Sequence, residues 1–216
     1  MKVLSANKNR LLVNTLFVIT TAFIVLSCFI YFFPLSSIDL DISREIQEHH
    51  NVTLDRLMAM ISIFGTMPYS AITVGLAALL FFIFKLRKEA LFILLTALSG
   101  LVSSLIKLLI NRPRPAKDLV RIIEITREQS FPSGHTLFYT VFFGFLIIIM
   151  GNLKSVNHYF RKAIICLSSA MILLIPFSRI YLGAHWFTDV LGGALLGVLC
   201  LSVLGYFYLP KTEINS

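Results

Sequence analysis

The stretch Ser130–Met150, "SFPSGHTLFYTVFFGFLIIIM", sets a Pro-Ser-Gly-His turn directly against a long apolar run. Serine and glycine suit the start of a helix. The run that follows, Thr136 to Gly151, carries no charge, so it must lie in lipid or be enclosed by other helices. Five more runs decide between these: Leu11–Phe33, Tyr69–Phe84, Glu89–Ile110, Ala163–Phe177 and Trp186–Leu209. A bilayer core takes about 20 residues of helix, within a range of ~17 to 25. Hydrophobic residues make up 57% of the chain and mean hydropathy is +0.84, far more than a soluble core of this size requires. The pattern predicts an all-α integral membrane bundle of six transmembrane helices, forming a single domain over residues 1–216. Tyr69–Phe84, Thr136–Gly151 and Ala163–Phe177 fall short of a usual span. Their ends must draw on the mixed sequence beside them, or the bilayer must thin there.

The first run follows Lys2, Lys8 and Arg10 in the manner of a signal peptide. It continues through Phe29–Phe33 after Cys28 and is too long for a signal core, which predicts an uncleaved anchor. Cys28, Cys166 and Cys200 fall within spans without paired spacing, which argues against a disulfide framework or a thiolate metal site and assigns them to packing. The net charge of +8 does not make a nucleic-acid surface, because the basic residues are spread over short loops. They set orientation instead. Lys2, Lys8, Arg10, Lys85, Arg87, Lys88, Lys154, Arg161, Lys162 and Lys211 fall on one side of a six-span chain, with Glu89 and Glu213 as the acids there. The positive-inside rule makes that side, with both termini, cytoplasmic.

The opposite side holds residues 34–68, acidic through Asp39, Asp41, Glu45, Glu48 and Asp55. Leu40, Ile42, Ile46, Leu54, Leu57 and Met58 are mixed among these charges, which predicts an interfacial helix over Ile38–Thr66 beside the site entrance. The same side holds "NRPRPAKDLVRIIEITREQSFPSGH", Asn111–His135, whose Arg112, Arg114, Lys117, Arg121 and Arg127 break the rule. Cations retained on a translocated face need a reason.

Three separated pieces meet at that face: "KLLINRPRP" (Lys107–Pro115) ending the third span, "PSGH" (Pro132–His135) opening the fourth, and "SRIYLGAHWFTD" (Ser178–Asp189) joining the last two. Each residue taken alone has a structural reading as good as a functional one. Lys107 can snorkel from a helix end. Arg112 and Arg114 each precede a proline and mark where a helix stops. His135 and Ser133 can cap a helix, and His185 and Asp189 at four-residue spacing can form an ion pair on one helix face. Together they supply a complete inventory for phosphate chemistry at one membrane depth, where ionisable groups are costly. Lys107, Arg114 and Arg179 offer fixed positive charge, two of them as forks suited to phosphate oxygens. Ser133 and the Gly134 amide make an anion corner at a helix start. One histidine with a carboxylate partner is an oriented nucleophile, and the other is an acid. A divalent metal at the two histidines and the aspartate would be repelled by the surrounding cations, so no metal and no cofactor is expected.

These residues carry a resemblance to the type 2 phosphatidic acid phosphatase superfamily. A lysine, six residues and Arg-Pro, then Pro-Ser-Gly-His, then Ser-Arg, five residues, His, three residues and Asp are its three signatures, here in order and unaltered. The likeness is to its small six-span bacterial members, of the phosphatidylglycerophosphatase B and undecaprenyl pyrophosphate phosphatase types, and it implies a bacterial cytoplasmic membrane. It implies that His185 attacks phosphorus, that Asp189 holds the other ring nitrogen, and that His135 protonates the leaving oxygen and later activates water. It further implies that Lys107, Arg114, Arg179, Ser133 and the Gly134 amide bind the phosphoryl oxygens of a lipid phosphate: phosphatidic acid, phosphatidylglycerophosphate, diacylglycerol pyrophosphate or undecaprenyl pyrophosphate. A lipid phosphotransferase would use the same residues with a different acceptor. An anion transporter would distribute its cations through the depth of the bundle rather than gather them at one face. Gly193 and Gly197, one turn apart in "GGALLG", predict close approach of a neighbouring helix that steadies His185 and Asp189.

The orientation is open to direct measurement. Single cysteines at Lys117 and Lys154, in a chain lacking its native cysteines, should differ in intact cells: an impermeant thiol reagent should label Lys117→Cys and spare Lys154→Cys. The reverse pattern would overturn the assignment of sides.

Overall fold

The computed structural model describes residues 2–126 and 128–210; the side chains of Lys2 and Lys8, together with Arg127, Lys211 and Glu213 from the charge count above, lie outside the described residues. Among the described residues the chain is all helix and loop. Its helices are α1 (Lys2–Phe32), α2 (Ser37–Gln47), α3 (Val52–Ser62), α4 (Tyr69–Ile83), α5 (Arg87–Leu95), α6 (Leu98–Ile110), α7 (Gly134–Asn152), α8 (His158–Tyr181) and α9 (Phe187–Tyr208). Five stretches are long and apolar enough to cross a bilayer: α1 from Arg10, α5 with α6, α7, α8 and α9. The sixth expected span is α4, at 15 residues too short to cross alone. It is joined to α3 through a 3-10 turn, Ile63–Gly65, and the two arms meet at 59°. The protein is an integral membrane helix bundle; among the described residues five spans are whole, and the bent α3–α4 pair, taken as one, is the sixth.

Local chemistry explains the ends. α4 closes with Lys85 in the left-handed region, φ 62°, and Leu86 N donates back to Phe81 O at 2.9 Å, a Schellman closure. α6 stops at Asn111, φ 47°, a residue type that tolerates this conformation, and the Arg112-Pro113 pair prevents resumption. Two of the three short runs lengthen as expected: α8 recruits His158–Lys162 on one side and Ser178–Tyr181 on the other, and α7 takes in Gly134, His135 and Asn152; Tyr69–Phe84 does not, since α4 ends at Ile83. At the end of the bundle rich in Lys and Arg, Arg161 donates to Met150 O at 2.5 Å and Gly151 O at 3.0 Å, and Lys88 donates to Tyr208 O at 2.6 Å. Those cations therefore also satisfy the open carbonyls at the C-termini of α7 and α9.

The core is built around α7. Leu137, Tyr139, Val141, Phe142, Phe145 and Ile149 are all buried, because α8, α9, α6 and α5 pack around this one helix. Of the two settings open to an uncharged apolar run, lipid or enclosure by other helices, α7 has the second. Gly193 and Gly197 make it possible on the α9 side: a Cβ at Gly193 would stand 2.6 Å from Ser133 O, and one at Gly197 would stand 2.6 Å from Thr140 Cβ. The expected close approach is therefore present, and it joins α9 to the turn that opens α7. The packing assigned to the cysteines is corrected in two cases. Cys28 and Cys166 are exposed on the outside of the bundle, and only Cys200 packs against the core.

The segment expected as one interfacial helix folds as two, α2 and α3, set against α8 and α9. α2 buries Asp39, Ser43 and Gln47, one stripe at four-residue spacing, and turns Ile38 outward. A polar stripe facing inward inverts the amphipathic pattern of a soluble helix; it finds partners in the loops beneath. Gln47 donates to Arg121 O and Tyr181 O at 2.8 and 2.9 Å and accepts from Arg121 N at 3.0 Å. α3 is held to α8 by Asp55, which pairs with Arg121 and accepts from the Tyr181 hydroxyl at 2.7 Å. At Gly183, φ 67°, a Cβ would collide with Arg121 O, so this turn admits only glycine.

The helix contacts give a stability test. Gly193→Ala and Gly197→Ala should each lower the thermal unfolding midpoint in detergent, at a cost of ~1 to 3 kcal/mol, the usual range for overpacking. Gly75→Ala, where nothing lies within 4 Å, should be neutral. Equal midpoints for all three would refute this account of the α7–α9 contact.

Candidate active site

The three sequence pieces come together at one end of the bundle, opposite the end rich in Lys and Arg, and backbone hydrogen bonds join them. Ser130 N donates to Arg112 O at 2.9 Å, which ties the end of α6 to the approach to α7. Ser133 N donates to Asp189 O at 3.0 Å, which ties the start of α7 to the first turn of α9. Ala184 N and His185 N donate to Arg179 O at 3.1 and 3.3 Å, folding the α8–α9 connection back on the helix it leaves. Ile123 N and Glu124 N donate to Leu182 O, so the long loop 111–133 lies against the same connection.

His185 stands at the centre of this arrangement, 2% exposed. Its Nε2 lies 3.3 Å from Arg114 Nη1, and the same guanidinium group donates to Ala184 O at 2.6 Å and, from Nε, to Glu128 O at 2.5 Å. Burial, and then the charges of Arg114, Arg179 and Lys107, hold the His185 imidazole well below its ordinary pKa. It is therefore neutral at pH 7, with a lone pair available. Burial first, and the Arg179 charge second, push Arg114 down to about 10, so it remains a cation. The Asp189 carboxylate is fully buried. Its Oδ2 lies 3.5 Å from His185 Nδ1 while accepting from Ser130 Oγ and, at 2.9 Å, from Trp186 N. His185 Nδ1 has no hydrogen-bond partner among the described residues. The carboxylate faces the imidazole across 3.5 Å without a hydrogen bond.

The second histidine sits in the first turn of α7, with Nε2 3.1 Å from Thr66 Oγ1 and its ring against Gly65. Ser133 is the N-cap of that helix; its Oγ accepts from Thr136 N at 3.4 Å and from Thr136 Oγ1 at 3.0 Å. The capping role is compatible with the anion-binding role expected of Ser133, because a hydroxyl that accepts still has a proton to donate. Gly134 opens α7, so its amide belongs to the first turn, where helix N–H groups lack intrahelical partners.

The cations expected to bind phosphate are already paired. Lys107, 6% exposed, donates to Glu128 Oε2 at 2.8 Å. Arg179, fully buried, donates to Glu124 at 2.7 and 3.1 Å and to Ser62 Oγ. Glu124 and Glu128, with the Glu128 and Gln129 carbonyls that take two of Arg114's donors, belong to loop 111–133, beside an open cavity of about 390 Å³ lined in part by Arg114, Thr126, Glu128 and Gln129. These acids, Thr66 and Ser62 were not singled out in the sequence, because nothing in their spacing relates them to the three motifs. Among the described residues no group of three or more His, Cys, Asp or Glu side chains is disposed to hold a metal.

Comparison with known proteins places this geometry. Residues 88–213 match the sequence model of the PAP2 superfamily. Undecaprenyl-diphosphatase BcrC of Bacillus subtilis is 34% identical over 170 residues, 77% of this chain and 79% of that one. Phosphatidylglycerophosphatase B of the same organism is 30% identical over 182 residues, 82% of this chain and 86% of that one. The crystal structure of a transmembrane PAP2-type phosphatidylglycerolphosphate phosphatase from Bacillus subtilis superposes with a TM-score of 0.75 at 24% identity, covering 89% of this chain and 94% of that one.

The loop acids yield a prediction. The Lys107 contact holds the Glu128 carboxyl below its ordinary range, so at neutral pH a charged carboxylate competes with any incoming anion. The Glu128 side chain is 74% exposed, and such a pair contributes only ~0.2 to 1 kcal/mol. Glu128→Gln should therefore bind inorganic phosphate up to about fivefold more tightly by calorimetry in detergent, and the gain should vanish in a Lys107→Ala background. Unchanged affinity in Glu128→Gln would show that the pair does not guard the site.

Proposed function

The chain belongs to the PAP2 superfamily, a family of membrane lipid phosphatases, and from that premise we propose that it hydrolyses the phosphate or diphosphate ester of a membrane lipid through a phosphohistidine. The observation that carries this reading is the neutral, buried His185 with Arg114 Nη1 3.3 Å from its Nε2. An oxygen on phosphorus bonded to that nitrogen falls within reach of the guanidinium.

The steps follow from the groups present. The Nε2 lone pair of His185 attacks phosphorus, and the bond from phosphorus to the lipid oxygen breaks with its electrons leaving on that oxygen. His135 donates a proton to it. Lys107, Arg114, Arg179, the Ser133 hydroxyl and the Gly134 amide hold the equatorial oxygens as charge spreads over them, the principal source of catalysis in phosphoryl transfer. The imidazole becomes cationic once phosphorylated, and the buried negative charge of Asp189 offsets that charge. His135, now a base, removes a proton from water as the water oxygen bonds phosphorus and the P–N bond breaks, releasing inorganic phosphate. Water as the acceptor is supported by the relatives, which are named as phosphatases. The site opens on the outer face, where the phosphate of an outer-leaflet lipid lies at the depth of the α7 N-terminus.

The test is phosphate release by the purified protein from phosphatidic acid, phosphatidylglycerophosphate, diacylglycerol pyrophosphate and undecaprenyl pyrophosphate in detergent, with chelator present throughout. Turnover of at least one is expected; turnover of none would sink the reading. The two histidines should separate by leaving group. His185→Ala should abolish the first-turnover burst on every substrate. His135→Ala should lose the burst on phosphatidic acid by ~100 to 10,000-fold, the usual worth of a general acid, but far less on an activated aryl phosphate, whose oxygen leaves without a proton. A burst that survived in His185→Ala and vanished in His135→Ala would exchange the roles.

A further inference from the structure

Arg112 is outside the signature lysine-to-Arg114 spacing, yet it is among the most deeply buried charges in the chain, with a side chain 1% exposed. Its Nε donates to Pro34 O at 2.8 Å, its Nη1 to Asp189 Oδ1 at 2.5 Å and to Thr188 Oγ1 at 2.7 Å, and its Nη2 to Asp39 Oδ2 at 2.6 Å. Asp39, from α2, has no exposed surface. It accepts from Thr188 N and Thr188 Oγ1, each at 2.9 Å, and from Ser36 Oγ at 2.9 Å. The result is a buried chain, Asp39–Arg112–Asp189, with Thr188 hydrogen-bonded to both Asp39 and Arg112 and His185 Nδ1 3.5 Å beyond Asp189.

From this geometry we infer that Asp39 and Arg112 are positioning residues for the reaction, acting through Asp189 on His185. This inference rests on His185 being the nucleophile. Two features argue that the chain has more than a packing role. The first is charge. Arg112 against Asp189 alone would be a neutral pair, leaving little field to stabilise a phosphorylated, cationic imidazole. With Asp39 the three groups sum to one negative charge, and the carboxylate nearest His185 is that of Asp189. The second is geometry. One carboxylate oxygen of Asp189 is fixed by Arg112 and the other by Trp186 N and Ser130 Oγ, so the carboxylate plane cannot turn away from the imidazole. α2 is thereby made part of the site: by docking its polar stripe it delivers the carboxylate that keeps Asp189 from being cancelled. An arginine fork is the side chain suited to hold two carboxylates at once.

Three variants test this by the size of the first-turnover burst on an aryl phosphate, read as maximal rate and as half-saturating concentration. Asp39→Asn removes one charge with little change of shape. It should lower the maximal rate by about 10 to 100-fold, the range for partners that orient a working histidine, and leave half-saturation unchanged. The double variant Asp39→Asn with Arg112→Gln deletes the chain but returns Asp189 to one uncancelled negative charge. It should recover at least about threefold over Asp39→Asn alone, which no purely structural role allows, since two buried deletions should compound. Arg112→Lys keeps the charge and every carboxylate but cannot span both; it should lose about tenfold in rate at constant half-saturation, and it carries the test if Asp39→Asn does not fold. A rate within twofold of the parent in Asp39→Asn or Arg112→Lys, or a double variant no faster than Asp39→Asn, would overturn the inference. His185→Ala distinguishes the two levels: a burst surviving there removes the premise as well, whereas its loss with unaffected Asp39 and Arg112 variants removes the inference alone.

Discussion

A buried positive charge at the end of a membrane helix must be matched by a negative one, and the half of this protein that holds the candidate site is organised around that requirement. Isolated ions cannot be held in a low-dielectric interior without paired hydrogen bonds. Lys107, Arg112 and Arg179 are each nearly or wholly buried, and each meets a carboxylate: Glu128, Asp39 with Asp189, and Glu124. None of the partners lies on the same helix as its cation. Each pair therefore also fixes an element in place: α2 through Asp39, α9 through Asp189, and loop 111–133 through Glu124 and Glu128. The site and the cap that covers it are one electrostatic structure.

The pairs are not equivalent, and exposure separates them. In the Arg112 pairs both partners have side chains at most 1% exposed. Breaking either would leave an uncompensated charge in the interior, a cost of ~3 to 5 kcal/mol, so these pairs are permanent. Glu128 is 74% exposed and Glu124 27%. A carboxylate that swings out from there regains water, so its departure costs little once a phosphate takes its place. The cations of the proposed phosphate cradle are therefore those with replaceable partners, and the cation with fixed partners, Arg112, belongs to the scaffold. The same sequence element, Arg112-Pro113-Arg114-Pro115, supplies one of each.

Much of this was legible in the chain. Six apolar runs, a helix stop at Asn111–Pro115 and a helix start at Ser133–Gly134 follow from local chemistry that acts within a few residues, and the structure has all of them. The three motifs were readable because each holds its own spacing. What escaped was long-range. Asp39 reads as one acid in an acidic segment, and α2 as a helix whose apolar face should bury. Only the presence of Arg112, 73 positions on, makes its polar stripe the inward one. Glu124, Glu128 and Thr66 likewise have meaning only through partners that the fold supplies. The cysteines were misjudged for the opposite reason: in a membrane helix an apolar or weakly polar residue faces lipid as comfortably as protein, so burial in the bundle cannot be inferred from hydropathy.

The bent fourth span follows from the same logic. α3 and α4 meet at 59° around Ile63–Gly65, and the residues at this corner, Ser62, Gly65 and Thr66, touch Arg179 or His135. A straight span would carry this backbone past the site. The bend brings a hydroxyl to each of two proposed working side chains, and at Gly65 it brings main chain so close to the His135 ring that a Cβ would collide with it. The shortness of α4, which looks like a defect in a membrane helix, is the consequence of spending the preceding residues on the wall of the site.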